Sequence, residues 1–154
     1  MKLLLDTTYF LPAIGISIKD IPQDVIIKLI ERGYEVYISD ITLFELSAKG
    51  AKYIASRLLS HERVLKGLRA IIYDNRINRI PIYDTTILLT AFKIRSLLDD
   101  FIDCLILSSA INKADILITE DEDILMLSRK KEFNNIIGRL NSKFEIRTIK
   151  DFIH

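Results

Sequence analysis

The chain is organised around residues 99–123, which read DDFIDCLILSSAINKADILITEDED. Asp103 stands inside an otherwise apolar run, which predicts a largely buried helix that carries a carboxylate. The run Ile116–Thr119 predicts a short buried strand, and a cluster of acids follows where that strand ends. Burying a carboxylate is costly unless it is paired, protonated or bound to a metal. Because ligands of open α/β sheets bind at the carboxyl ends of strands, the stretch predicts a divalent-cation site.

The rest of the chain alternates short apolar strands with helices. The predicted strands are 2–5, 34–39, 79–83, 116–119 and 144–147. The predicted helices are 22–32, 41–48, 52–72, 85–98, 100–113, 120–129 and 149–153, with a break at Gly50. We also predict a short helix and a loop over 9–18, and a polar, loosely helical link before the last strand. Pro81 favours an edge or early position for the third strand. Apolar strands without alternation are typical of a parallel sheet covered by helices, so we predict an α/β fold.

Length and composition indicate one globular domain over residues 1–154. The hydrophobic content of 49% is high for a chain of this size, which points to a subunit interface. Net charge is +1, but residues 99–123 are acidic and the chain turns basic afterwards. This division fits a metal site serving an anionic substrate, and for any single residue a solvated helix face is the ordinary alternative. Cys104 is the single cysteine, which excludes a disulfide framework and a cysteine-based zinc site. We read no signal peptide or membrane span and expect a cytoplasmic protein.

Four acids are candidates for the site, and each has an ordinary alternative. Asp6 follows a strand and could be a metal ligand or a turn residue. Glu45 on an amphipathic helix is more often solvated than functional, and Asp103 could serve only the N-terminal helix dipole. Asp121 lies within Thr119-Glu120-Asp121-Glu122, which is also a capping-box pattern. Taken together, two acids at strand ends and two on helices predict an oxygen-only cluster, which suits Mg²⁺ or Mn²⁺ and phosphoryl chemistry.

Four motifs in this order resemble the PIN domain family, the metal-dependent ribonuclease fold that includes the toxins of VapBC-type toxin–antitoxin pairs. The matching stretches are Leu3-Leu4-Leu5-Asp6-Thr7-Thr8, Ile41–Leu46 with Glu45, Asp103–Ala110, and Ile116–Asp121, and the last strand and helix also fit the family's ending. Thr8 stands where Asn or Ser is commoner, and Ile124 follows Asp123 where an aromatic residue is often found. The resemblance covers the whole chain.

The resemblance implies a three-layer α/β/α sandwich with a central, mostly parallel sheet of four to five short strands. It implies that Asp6, Glu45, Asp103 and Asp121 are catalytic and bind Mg²⁺ or Mn²⁺, with Asp123 as a helper. Thr8 and Thr119 would orient carboxylates or water, and a metal-activated water would hydrolyse single-stranded RNA. Homodimerisation and a small antitoxin partner are further implications. Contacts of Lys49, Lys52 and Arg57 with phosphates are a weaker expectation, since each of these residues could be an ordinary solvated charge.

Two other functions fit the same residues. The fold could serve as a housekeeping nuclease that processes RNA, or as a PIN-like module that binds RNA or protein and uses its acids structurally. A small phosphatase or receiver-type domain is disfavoured, because no second acid stands near Asp6 and no suitably placed lysine follows a later strand.

Overall fold

A single parallel sheet lies at the centre of the computed structural model, which describes residues 1–153 and leaves His154, the last residue of the predicted domain, outside the described part. The strands of this part are β1 Lys2–Leu5, β2 Glu35–Ser39, β3 Ile77–Ile80, β4 Ile116–Ile118 and β5 Glu145–Arg147. Their order across the sheet is β3-β2-β1-β4-β5, and every neighbouring pair is parallel. The predicted α/β fold with a parallel sheet is confirmed, and β3 lies at an edge as Pro81 indicated.

Helices cover both faces of this sheet. A 3₁₀ helix, Thr7–Ile14, follows β1. The α-helices of the described residues are α1 Val25–Glu31, α2 Asp40–Ala55, α3 His61–Ile72, α4 Thr85–Ile94, α5 Phe101–Lys113, α6 Glu122–Leu127, α7 Lys131–Leu140 and α8 Lys150–Ile153. None of the helices within residues 1–153 is both long and apolar enough to span a bilayer.

The central strand β1 divides the hydrophobic core into two clusters. Leu3 and Leu5 face one cluster, which also includes buried side chains of the 3₁₀ helix, α1, α2, α3 and α8. Leu4 faces the other cluster, which it shares with α4, α5, α6 and α7. Successive side chains of a strand point to opposite faces, so an unbroken apolar run is what a strand buried on both sides needs. The three-layer arrangement predicted from the motifs is therefore confirmed.

The helical hairpin after β2 differs from the prediction. Helix α2 continues through Gly50 to Ala55. A Cβ at Gly50 would lie only 2.6 Å from Val64 Cγ1 of α3, so the close contact between the two helices needs a residue without a side chain. Glycine there allows two helices to pack closely and does not break the helix. The predicted helix over 52–72 was wrong: Arg57 adopts a left-handed φ of 60°, and Ser60 caps a new helix by accepting the N–H of Arg63.

Other element boundaries also shift. The link before β5 is a regular helix, α7, which buries Phe133 and packs Ile136 and Ile137 against the core. The prediction of a loosely helical link overlooked this helical spacing of apolar residues. Strand β3 is 77–80 and not 79–83, since its register ends where Ile80 pairs with Ser39, ahead of Pro81. Asp84 and Asp100 cap α4 and α5 as predicted, although α4 ends at Ile94 and not at residue 98.

The strand order places a topological switch point beside β1. The chain proceeds from β1 to β2 in one direction along the sheet and returns to β4 on the other side of β1. Residues that follow β1 and β4 therefore meet at one carboxyl edge, where the Asp6 N–H donates to the Ile118 carbonyl at 3.0 Å. This crevice is the usual ligand position in open α/β sheets.

Candidate metal centre

An open cavity of about 240 Å³ lies at the carboxyl edge of β1 and β4. Its walls are formed by Asp6, Thr7, Thr8, Glu45, Lys49, Asp103, Glu120 and Asp121. The four acids predicted from the sequence thus come from four different elements and line one cavity. Their separation along the chain is bridged by the parallel sheet, which brings the ends of β1 and β4 side by side.

Asp6 is the most enclosed acid of the cavity, with only 8% of its surface exposed. Its Oδ1 accepts the Thr7 N–H at 2.7 Å, and its Oδ2 accepts the Thr119 hydroxyl at 2.7 Å. Burial raises the pKa of the Asp6 carboxyl, against the lowering effect of these two hydrogen bonds. The carboxylate is therefore held in one orientation in surroundings that disfavour its negative charge.

Glu45 enters the cavity from the second turn of α2. Its Oε1 accepts the Thr7 hydroxyl at 2.5 Å, which ties this helix to the residue after Asp6. Burial raises the pKa of Glu45, and the nearby Asp6 charge raises it further, while the Thr7 hydrogen bond and Lys49 act in the opposite direction. Sequence reasoning named Thr8 as the orienting hydroxyl; Thr8 lines the cavity, but the contact with Glu45 is made by Thr7.

Asp103 lines the cavity from the first turn of α5. Burial, and after it the charges of Asp100 and Asp6, raise the pKa of Asp103 to about 7. The preceding Asp100 caps the helix by accepting the N–H groups of Ile102 and Asp103. Sequence reasoning treated Asp100 only as a cap, so its electrostatic effect on the neighbouring acid was missed although the spacing of three residues was available.

Asp121 and Thr119 follow β4 and are linked to each other. The Asp121 N–H donates to the Thr119 hydroxyl oxygen at 3.0 Å, and Asp121 Oδ1 accepts the Ile124 N–H at 3.1 Å. Asp121 is thus the N-cap of α6 and a wall of the acid cavity at once. Its two alternative interpretations are compatible, because a cap uses only one of the two carboxylate oxygens.

Asp123 lies in a different place from the other candidates. It lines a neighbouring, larger cavity together with Asp99, Asp100 and Lys130, and Asp103 is the residue that both cavities share. The structure therefore brings four of the five predicted ligands to one cavity and places the fifth next door. A helper role for Asp123 remains a prediction.

Two charged residues of the cavity were not assigned to the metal site by sequence reasoning. Glu120 is held by the Tyr9 hydroxyl at 2.7 Å and by the Ile149 N–H at 3.3 Å, so its carboxylate has a fixed position at the rim. Lys49 stands one helical turn after Glu45, and its charge acts on both Glu45 and Asp6. The spacing of four residues on α2 is the signal that could have placed Lys49 here.

These residues fit a hard divalent cation by their chemistry. Every candidate ligand is a carboxylate oxygen, the donor type that Mg²⁺ and Mn²⁺ prefer. The acids outnumber the single lysine of the cavity. Burial raises the pKa of three of them and so disfavours their negative charge, an effect that a bound cation would offset. Within residues 1–153, however, no three His, Cys, Asp or Glu side chains are gathered closely enough to hold an ion without moving.

Comparisons with known proteins agree with this fold. A family model described as the PIN domain matches residues 3–130. VapBC2 from Rickettsia felis, bound to a promoter DNA fragment, contains a chain with a TM-score of 0.56 at 20% identity, with 96% of this chain and 98% of that chain covered. DNA-bound VapBC from Salmonella typhimurium gives 0.60 at 23% identity, with 97% and 98% covered. No curated protein matches the sequence. Since the family model spans most of the sequence, the chain belongs to the PIN domain family.

Proposed function

We propose that the protein is a metal-dependent endonuclease of single-stranded RNA and the toxin component of a VapBC-type pair. The observation that carries the proposal is the convergence of Asp6, Glu45, Asp103 and Asp121 on one cavity at the switch point of the sheet. Membership of the PIN domain family supports a metal-dependent nuclease. The similarity in fold to chains from two VapBC complexes supports the toxin role.

The four acids of the cavity would hold one or two Mg²⁺ or Mn²⁺ ions, with Asp123 as a helper from the adjoining cavity. Such ions, when bound, activate water, neutralise the scissile phosphate and stabilise the leaving oxygen. Thr119 and Thr7 keep the Asp6 and Glu45 carboxylates pointing in fixed directions, which raises the affinity of a site for its ion.

Other polar groups of the cavity have supporting roles in the proposal. Thr8, whose hydroxyl-bearing side chain lines the cavity, would orient water or substrate. Lys49 would lie against the anionic substrate, since it is the one basic residue that lines the acid cavity among the described residues. Lys52 and Arg57, exposed farther along the same helical hairpin, would track phosphates at a greater distance.

The proposed partners are a small antitoxin protein and a second copy of the chain. Large apolar side chains remain exposed on the described surface, among them Phe44 (62%), Leu58 (69%), Tyr73 (80%) and Phe92 (62%). Apolar surface of this kind supports contacts with other protein chains. Sedimentation of the purified protein, alone and with a co-expressed antitoxin candidate, measures both associations; a monomer in both samples would contradict this part of the proposal.

The first experiment is cleavage of a mixed single-stranded RNA in the presence of Mn²⁺, in EDTA, and with the Asp103→Asn variant. We expect wild-type protein with Mn²⁺ to cut, and the EDTA sample and the variant to lose cutting by at least about a hundredfold. Glu132→Gln is the matched control, because Glu132 is an exposed acid on α7, remote from the cavity. It should cut like wild type.

The outcomes separate the alternatives. Cutting that survives both EDTA and Asp103→Asn would contradict a metal-dependent nuclease centred on this cavity. A folded protein that neither cuts RNA nor binds Mn²⁺ in calorimetry would favour the non-catalytic binding module. If the nuclease is established, a small antitoxin-like reading frame beside the gene would favour the toxin, and an isolated gene would favour a housekeeping RNA-processing enzyme.

A further inference from the structure

The acid cavity adjoins a further cavity, one that Asp123 does not line. This second cavity, of about 190 Å³, shares Thr8 and Glu120 with the acid cavity, so the two adjoin along these side chains. Glu120 is held from both sides, by the Tyr9 hydroxyl and by the Ile149 N–H. The partition between the cavities is therefore well defined, and a polymer that leaves the acid cavity here enters the second one directly.

The walls of this second cavity combine an apolar floor with two cations. Ile21 and Ile149 are 9% and 1% exposed and form part of the floor with the half-buried Ile18. Lys19 and Lys150 stand exposed at its rim. Neither lysine forms an ion pair with any acid of residues 1–153, although two acids, Asp20 and Glu120, also line the cavity. Both ammonium groups can accordingly turn toward an external anion.

The cavity that adjoins the acid cavity at Asp103 has an excess of acids. It is lined by Asp99, Asp100, Asp103 and Asp123 with Lys130 as its one basic residue among the described side chains. A polyanion passing over these four carboxylates would meet repulsion along its whole path. The cavity with Lys19 and Lys150 carries as many lysines as acids, whereas acids outnumber the lysine of the other cavity by three. The cavity with Lys19 and Lys150 is therefore the more favourable one for phosphate.

We infer that the cavity of Lys19, Lys150 and Ile149 binds the nucleotide that adjoins the scissile phosphate of a single-stranded RNA. The two lysines at the rim contact phosphates of the strand, and the isoleucine floor packs against the apolar face of the ribose or base. Lysine contacts of this kind supply affinity without sequence readout, so the cavity positions the strand and leaves base selection to other groups. This inference rests on the proposed function.

The test is binding of a short fluorescein-labelled single-stranded RNA, followed by anisotropy, in the Asp103→Asn background with Mn²⁺. This background is expected to bind without cutting. Adding Lys19→Gln and Lys150→Gln together should weaken binding about tenfold and reduce the slope of log K against log salt by about 1.4, the value for two lost phosphate contacts on a single strand. The pair Lys19→Arg and Lys150→Arg should restore binding, since it keeps both positive charges.

Lys130→Gln, at the acidic exit, is the matched control and should leave the affinity and the salt slope nearly unchanged. The inference is overturned if Lys130→Gln weakens binding and the Lys19 and Lys150 pair does not, or if RNA binds and neither change affects it. Those results leave the proposed nuclease intact. If the background protein binds no single-stranded RNA at all, the substrate class of the proposed function fails, and the inference fails with it.

Discussion

Thr119 donates its hydroxyl proton to Asp6, with Thr119 Oγ1 lying 2.7 Å from Asp6 Oδ2. The same oxygen accepts the Asp121 N–H at 3.0 Å, so the single proton of this hydroxyl is committed to Asp6. Both side chains are buried, Thr119 fully and Asp6 to all but 8%. One threonine thus connects the acids that follow β1 and β4 across the switch point.

Replacing that threonine by valine should damage both the site and the fold. Thr119→Val leaves the buried Asp6 carboxylate without one donor and the Asp121 N–H without its acceptor, at a cost of about 1–3 kcal/mol in the free energy of unfolding. The affinity for Mn²⁺ should fall about 10–100-fold, as is usual when a partner that orients a ligand is lost. Urea denaturation and titration calorimetry measure the two effects. Thr119→Ser keeps the hydroxyl and should stay close to wild type in metal affinity; an equal loss in both variants would contradict the role of the hydrogen bond.

The neighbouring threonines 7 and 8 offer a matched pair. Thr7 donates to Glu45 Oε1, whereas Thr8 lines the cavity wall and makes no hydrogen bond to Glu45. Thr7→Val should therefore weaken Mn²⁺ binding about tenfold or more, because Glu45 loses its orientation. Thr8→Val should change metal affinity less and affect cleavage more, if Thr8 orients water or substrate. Metal affinity that falls more for Thr8→Val than for Thr7→Val would show that the contact to Glu45 is not the important one.

The raised pKa of Asp103 predicts an unusual pH dependence of stability. This carboxyl titrates near 7 in the fold against 3.8 for the unperturbed group, so the folded state binds more protons than the unfolded state between these values. The free energy of unfolding in EDTA should accordingly fall as pH rises from about 4 to about 7. Asp103→Asn should remove part of this fall and make the variant more stable than wild type at about pH 8, with the difference vanishing near pH 4.

Urea denaturation of both proteins at several pH values, with EDTA present throughout, measures this effect. Parallel curves of unfolding free energy against pH for wild type and Asp103→Asn would contradict the raised pKa of Asp103. Burial raises the pKa of Asp6 and Glu45 in the same direction, so the variant should retain some of the slope.

Gly67 lies where α3 packs against the 3₁₀ helix. A Cβ at this position would lie 2.1 Å from the Ala13 carbonyl oxygen, and backbone on both sides leaves little room to adjust. Gly67→Ala should lower the free energy of unfolding by about 1–3 kcal/mol or more. Gly138→Ala on α7 is the control: nothing lies within 4 Å of its Cβ position, so it should stabilise the protein by about 0.5–1 kcal/mol. Equal effects in thermal denaturation would contradict the close contact.

The order of elements was largely predictable because it depends on local pattern. Leu3, Leu4 and Leu5 are buried on opposite faces of the sheet, and an apolar run of this kind is readable directly. The helical hairpin of α2 and α3 was not predictable in this way. Glycine usually indicates a helix break, and the contact of Gly50 with Val64 of the next helix, which accounts for the glycine, is visible only in the fold. Boundaries set by contacts between distant segments leave little trace in the local sequence.

The candidate site was also predictable from the sequence only in part. Motif order named Asp6, Glu45, Asp103 and Asp121, and the structure places all four around one cavity. The position of Asp123 in the adjoining cavity could not be read from residues 119–123, because it depends on how α6 turns away from β4.

Residue types and their spacing along short segments were enough to predict the parallel α/β fold. The same local motifs named the candidate acids, whose role as metal ligands stays a prediction. The pairing of hydroxyls with carboxylates, and the difference in charge between the two adjoining cavities, became visible only in the folded chain. Several of these contacts join segments that are far apart in the chain, as Thr119 meets Asp6 and Glu120 meets Tyr9. Hydrogen bonds and local charge depend on distances of a few ångströms. The strand order brings these segments together, and side-chain packing sets the final distances.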